Sequence, residues 1–438
     1  MSIRKQIARF RTRVLRSGDA RHGAAPLATS AVKALPAHKP KVKSPVAAAQ
    51  FRPAGLELAL NRARMAYATA ILHVSDGPGS EFHLDLWIHH LRDALGPDVI
   101  IVIRSRPLFE SVKKRFDLDC VYIRDSRDAE RFVHQCPNLK AVFYVSNTGN
   151  VIHFVRLNHL KHVFLGHGDS DKAASCHRFF RVYDEVWTAG QAHIDRFAAV
   201  GFRTDSIDFK TIGRPGTRSV IENAAPADCQ QFLYLPTWEG YQDSQNYSSL
   251  PMGVDLLLVA EAATGLRPRV KFHPLAGTQS SDPIYLEPSL EQAYAGRRMA
   301  PTAADEDVAA AATRSEPSLV VSPRSLPVSE CFEGSAFLVS DISSVISDFL
   351  VTLRPIFLFL PSAVDIKMSP SQIPYDQFAY QFSTPEELRD LIEQVILRGD
   401  DPLAIGREKA LAYFVDVEAT VQGRFAKEAQ RLCSPPPV

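Results

Sequence analysis

HVFLGHGDSDK, residues 162–172, passes from a hydrophobic run to a polar loop within a few positions. Val163-Phe164-Leu165 has the β-branched and aromatic composition of a buried strand. Gly166-His167-Gly168 breaks the run, and Asp169, Ser170, Asp171 and Lys172 follow. The pattern fits an ordinary buried strand meeting a loop, or a strand that delivers a histidine to a cleft. Its neighbours narrow the fold. AYATAILHVSD (66–76), VIIVIRS (99–105), CVYIRD (120–125) and AVFYVSN (141–147) are runs of the same kind. Helical patterns such as EFHLDLWIHHLRDAL (81–95) separate them. Strands alternating with helices predict a doubly wound α/β domain with a mostly parallel sheet.

A second series starts near Gln231, with FLYLP (232–236), VKFHP (270–274), LVVSP (319–323), AFLVSD (336–341) and PIFLFLP (355–361). Residues 281–318 read as an exposed insertion, and 402–432 as a terminal helix. The expected organisation is an arm and linker over 1–64, a Rossmann-like domain over 65–225, a second over 226–402, and a C-terminal helix and tail over 403–438. Two such halves facing a cleft make the GT-B architecture. A fold of this kind hosts many reactions, so the function has to be read from the site.

At 438 residues the chain is long enough for two domains. Its 45% hydrophobic and 23% charged residues are those of a globular protein. The net charge of +1 conceals a division: residues 1–45 hold 11 Lys/Arg and one acid, Asp19, whereas the remainder carries 39 basic and 48 acidic groups. Within the arm, Ile3, Ile7, Phe10 and Val14 form one helical stripe among six basic residues of segment 1–17. That pattern suits a helix lying on an anionic membrane surface and equally a disordered basic leader. Residues 18–50 read as a flexible linker. Nucleic acid is a poor partner for this chain, since the arm has one aromatic residue and the body is acidic. The six cysteines show no CxxC spacing, which argues against a zinc site or a disulfide framework. With neither a secretory leader nor an apolar span of about 18 residues, the expected location is the cytoplasm, peripheral to the inner face of the membrane.

Ligands of open α/β sheets bind beyond the carboxyl ends of the strands, where several polar clusters fall. His167 follows the strand near 162–166. Thr237-Trp238-Glu239 follows FLYLP, His273 follows VKF, and Asp341 to Ser344 follows AFLV. In SDISSVISDFL (340–350), Ser343 and Ser344 suit either plain N-capping of the next helix or an anion site with its free amides. His273 before Pro274 is placed to donate to a diphosphate, or is simply a loop residue. Arg214 in IGRPGT (212–217) suits a phosphate clamp or a surface turn. HVSDGPGSEF (73–82) lacks both the GxGxxG spacing and the Walker A lysine, which sets aside nicotinamide and P-loop readings. It reads as a loop bordering the acceptor.

GHGDSDK, YDEVWTAGQAHIDRF (183–197), IGRP, LPTWEG, KFHPLAG and SDISSVISDF occur in an order that resembles the CDP-glycerol glycerophosphotransferase family. The resemblance runs from about residue 70 to 360. It implies a GT-B fold and no cofactor: CDP-glycerol is the donor substrate, and no metal is obligatory. It also implies transfer of a polyol phosphate to a lipid-linked or polymeric acceptor, as in teichoic acid or capsule synthesis. His167 matches the family's general base, with Asp169 beside it. His273, Ser343 and Ser344 match donor-phosphate residues, and Arg214, Thr237 and Asp341 fall on the same donor side. Ser170 and Lys172 fall on the acceptor side. Where many teichoic-acid polymerases have HGTPLK, this chain has HGDSDK, which puts extra negative charge beside His167. An imidazole with an ordinary pKa near 6.5 suits base work at neutral pH, and an adjacent carboxylate orients it. Two other readings share these residues: a glycosyltransferase using a nucleotide-sugar, and a membrane-tethered scaffold without catalysis.

Overall fold

Each quoted apolar run contains a strand or its end, and the strands gather into two sheets. The computed structural model describes residues 56–59, 62–115, 119–166, 168, 176–222, 229–240, 246–298, 319–361 and 372–434. The basic stripe of 1–17, the insertion residues 299–318, and His167, Asp169, Ser170, Asp171 and Lys172 lie outside them.

The first sheet comprises β1 (Leu56–Ala59), β2 (Ala70–Val74), β3 (Val99–Ile103), β4 (Cys120–Ile123), β5 (Ala141–Tyr144), β6 (Lys161–Phe164), β7 (Glu185–Thr188) and β8 (Asp208–Thr211). Their spatial order is β1-β4-β3-β2-β5-β6-β7-β8. All neighbours are parallel except β1, which runs antiparallel to β4 with Leu56 opposite Ile123. The second sheet comprises β9 (Gln231–Leu235), β10 (Arg267–Val270), β11 (Val320–Val321), β12 (Ser335–Ser340), β13 (Ile356–Phe359) and β14 (Tyr380–Phe382). It is parallel throughout, in the order β11-β10-β9-β12-β13-β14. The winding direction reverses between β2 and β5 in one sheet and between β9 and β12 in the other. Such a reversal parts the loops above the strands and opens a crevice there. Both halves are therefore Rossmann-like, and together they form the GT-B architecture.

The central strands are apolar on both faces because helices cover both. Ile71, Ile100 and Val142 pack in one layer with Phe132 and Phe154. Leu72, Ile101 and Phe143 pack in the opposite layer with Trp87 and Leu91 of the helix Glu81–Leu95. A second pair of layers sandwiches the other sheet.

Three details differ from the sequence expectation. Residues 281–298, read with 299–318 as an exposed insertion, hold the helix Glu287–Arg298, which buries Leu290 and Tyr294 in the second half's core. β1 and all but the last residue of the helix Arg62–Met65 fall inside 1–64, the region read as arm and linker, and β1 supplies the edge of the first sheet. The single terminal helix is three: Ala404–Phe414, Val417–Val421 and Arg424–Cys433. Asp416 starts the second by accepting the Ala419 N–H at 2.7 Å, and Gly423 turns left-handed (φ 64°) ahead of the third. The third helix crosses to the first half. There Phe425 stacks on Trp87 at 5.3 Å, and Arg431 donates to both Glu185 carboxylate oxygens at 2.9 Å.

Candidate functional site

At the switch point of the second sheet, the loops after β9 and β12 are tied by one carboxylate. Asp341 is fully buried, and its Oδ2 accepts the Thr237 N–H at 2.7 Å and the Ser249 N–H at 3.1 Å. Ser340 Oγ donates to the Leu235 carbonyl at 2.8 Å, and Ser248 Oγ to the Thr237 carbonyl at 2.9 Å. Thr237 and Asp341, both expected on the donor side, are thus brought together. Asp341 shapes the loop that carries Thr237.

His273 lies three residues beyond β10, in a loop fixed from two directions. Glu239 Oε1 accepts the amides of Gln279 (2.8 Å) and Ser280 (3.0 Å), and Oε2 accepts that of Gly277 (3.1 Å). Burial pushes the Glu239 carboxyl upward, but its backbone N–H bonds outweigh that and hold it below the ordinary value. From the other side Arg324 Nη1 donates to the carbonyls of Pro274 (3.1 Å) and Ala276 (2.8 Å), while its remaining nitrogens pair with Glu287. Lys271 is buried and donates to the Arg324 carbonyl at 3.0 Å, and burial lowers its pKa. The Leu275 N–H donates to His273 Nδ1 at 3.1 Å, so the neutral ring carries its proton on Nε2 and is a donor there. Trp238 stacks on the His273 ring at 6.0 Å and 18°, a packing role for its indole.

Residues of the first half meet this loop. Phe82 approaches His273 edge-on at 6.0 Å, and a Cβ on Gly79 would lie 3.3 Å from Leu275 Cδ2. The HVSDGPGSEF loop therefore borders His273.

The serine pair departs from the capping expectation. Ser344 occupies the N-cap position of Val345–Phe349 without a side-chain cap hydrogen bond, and that helix is five residues long. So short a helix supplies little dipole, and the anion site read from its terminus has to rest on side chains instead. Among the described residues, Ser343 Oγ is buried without a hydrogen-bond partner. Native buried hydroxyls are nearly always satisfied, so this one has bonding capacity in reserve.

Arg214 follows β8 and reaches the same place. Its Nε donates to Asp348 Oδ1 at 2.7 Å and its Nη2 to Oδ2 at 3.0 Å, with both side chains largely buried. Gly168, from the loop after β6, completes the meeting. A Cβ there would come within 2.7 Å of Ser344 Cβ and 3.8 Å of Arg214 Nη2. Three chain segments distant in sequence thus converge at Gly168, the residue that follows His167.

At the first sheet's switch point, Ser75 Oγ after β2 lies 3.1 Å from Ser146 Oγ after β5 and accepts from Thr148 Oγ1 at 2.6 Å. Asp76 Oδ2 pairs with His83 Nδ1 at 3.0 Å. Trp87 Nε1 donates to the Gly166 carbonyl at 2.6 Å and so anchors the glycine that precedes His167. These polar groups lie beyond the carboxyl ends of β2 and β5, at the first sheet's switch point. Among the described residues no group of three or more His, Cys, Asp or Glu gathers as a metal site would require, and no helix is long and apolar enough to cross a membrane.

Sequence reading missed Glu239 and Arg324 as loop clamps, and gave Asp348 no role. One signal was available for Asp348: it stands four residues after Ser344, which places both on one helical face.

Against known proteins, no family model matches the chain and no curated protein sequence matches it significantly. Solved structures do match. The wall teichoic acid polymerase TagF, in a variant soaked with CDPG, superposes with a TM-score of 0.53 at 13% identity, over 85% of this chain and 90% of that one. A second TagF variant gives 0.53 at 12% identity, over 86% and 92%. The chain has the fold of TagF across nearly its whole described length.

Proposed function

We propose that the chain is a transferase that moves a glycerol-phosphate unit from CDP-glycerol to a hydroxyl of a lipid-linked or polymeric acceptor. The observation that carries this reading is the convergence of Gly168, Ser344 and Arg214. It joins the loop of His167 to the serine pair and arginine that the sequence assigns to the donor's phosphates. The ordered HGD, IGRP, HP and ISS motifs and the TagF fold support the same reading.

In this mechanism His167 takes the proton of the acceptor hydroxyl as its oxygen attacks the glycerol-linked phosphorus, with Asp169 orienting the ring. The bond from that phosphorus to the bridging oxygen breaks, and CMP leaves with the electron pair. Charge grows on the bridging oxygen. Arg214, Nε2–H of His273 and the Ser343 and Ser344 hydroxyls are the donors proposed to meet it. Asp341 and Thr237 hold the crevice around the nucleotide, and Ser170 and Lys172 lie toward the acceptor. No metal is assigned a step. The basic segment 1–17 is the part proposed to rest on an anionic membrane at the cytoplasmic face.

The test is CMP release by the purified protein from CDP-glycerol, with and without a lipid-linked acceptor, beside His167→Ala. Acceptor-dependent release, lost in the variant, is the expected result. Release of a nucleoside diphosphate from a nucleotide-sugar would mean that carbon–oxygen cleavage replaces phosphoryl transfer. No release across CDP-glycerol, CDP-ribitol and nucleotide-sugars would overturn the catalytic reading.

A further inference from the structure

We propose that Asp348 is a positioning residue: it aims the Arg214 guanidinium at the diphosphate of the nucleotide donor. The inference rests on the donor reading of Arg214 above and extends it to Asp348, a member of the SDISSVISDF motif to which no role is assigned above.

The backbone at Arg214 is already held without Asp348. Its N–H donates to Thr420 Oγ1 at 2.8 Å, and its carbonyl accepts from the N–H and Oγ1 of Thr217, both at 2.9 Å. Gly213 before it has φ +73° and presses on Thr420, where a Cβ would lie 2.6 Å from the amide nitrogen. What remains to be fixed is the side chain. Asp348 does this through two parallel bonds, to Nε and Nη2, which set both the position and the plane of the guanidinium.

The carboxylate is also correctly placed to do so. Ser344 and Asp348 are one helical turn apart, so one short helix carries both the serine packed against Gly168 and the carboxylate that pairs with Arg214. The guanidinium then lies beside Ser344 and Gly168, as the two contacts of a Cβ on Gly168 establish. Stability alone is a weak reason for such a pair. Burying two charges costs about as much as their attraction returns, and apolar residues of equal volume usually serve the fold better. An ion pair retained at the mouth of a phosphate crevice is better explained by preorganisation, since an arginine held in one rotamer loses less freedom on binding.

Calorimetric titration of the full chain with CDP and with CMP tests this, on wild type, Arg214→Ala, Asp348→Asn and the double variant, each with its melting temperature. Asp348→Asn is expected to weaken CDP about tenfold and CMP much less, at nearly unchanged melting temperature, and the double variant to bind CDP no worse than Arg214→Ala alone. An unchanged CDP affinity in Asp348→Asn, equal losses for CDP and CMP, or additive effects would overturn the inference. Should Asp348→Asn melt early, Arg214→Lys keeps Asp348 paired with a cation but abolishes the fork. It is expected to lose about fivefold for CDP and little for CMP, and an unchanged CDP affinity there would equally overturn the inference. Wild type that binds UDP but not CDP would remove the cytidine donor, and the same comparison is then read with UDP and UMP. Wild type that binds neither diphosphate overturns both readings.

Discussion

Gly168 faces Ser344 with no room for a side chain: a Cβ on the glycine would stand 2.7 Å from that of the serine. The contact joins the loop after β6 to the start of Val345–Phe349 and so ties the first half to the second. Gly168→Ala must displace Ser344 or the loop that carries residue 168. Overpacking of this kind costs about 1–3 kcal/mol. Taken at the site, that corresponds to a loss in CMP release of roughly five- to a hundredfold. Turnover and melting temperature measured together check this: a fully active variant would show that the loops part without cost.

Glu239 holds three amides of the loop after His273, and hydrogen exchange can watch each one. In Glu239→Gln the charge is gone and at most part of the set survives. Bonds to a charged acceptor are worth about 1.5–3 kcal/mol, so exchange at Gly277, Gln279 and Ser280 should quicken by roughly ten- to a hundredfold. The wild type should approach the same behaviour in acid. A carboxyl held below its ordinary value contributes fully above about 4.5, and that contribution is lost as pH falls through the lowered value. Unchanged exchange in the variant would assign the loop's rigidity to Arg324 alone.

His73 on β2 predicts a second acid effect. It is wholly buried, its ring against Tyr144 and Phe154, and burial with help from Arg104 pushes its pKa down to about 3. The unfolded chain takes up a proton near 6.5 that the folded one refuses. Stability is therefore unaffected above 6.5 and falls by about 1.4 kcal/mol per pH unit from there toward 3. His73→Leu should remove that slope from urea unfolding measured at pH 7, 6 and 5. An identical slope in the variant would place the acid sensitivity elsewhere.

Phe425 tests the last helix as part of the first half's core. It is 3% exposed and lies against both Trp87 and Trp187. Phe425→Ala should cost about 3–5 kcal/mol in urea unfolding. A loss below about 1 kcal/mol would mean that the helix is a surface attachment, since shallow sites give little.

Legibility from sequence followed burial. Strands covered on both faces, such as VIIVI and FLYL, are continuous apolar runs and were found. DFKT of β8 and YQF of β14 mix polar with apolar residues because they lie at sheet edges, and neither announces a strand. β10 begins at Arg267 rather than at the apolar Val270, because the short β11 pairs only with Arg269 and Val270 and leaves the start of β10 without a neighbour on that side. At the site, residue type and strand-end position indicated His273, Thr237, Asp341, Arg214 and the serine pair. What each one bonds did not follow, because Arg214 and Asp348 are 134 positions apart and only the folded chain pairs them. The capping role read for the serines failed for a local reason: a five-residue helix entered in αR geometry at Ser344 leaves its hydroxyl nothing to cap.

Gln430 of the last helix donates to the Ala94 carbonyl across 336 positions of chain. On a ribosome adding about 5–20 residues per second, the first half, complete at β8, waits roughly 10 to 40 seconds for the segment that covers Trp87 and Trp187. During that interval its indole-lined face is open to solvent and to other nascent chains. The order of synthesis thus makes the earliest-made domain the last to be finished, and it sets when a chaperone would be needed.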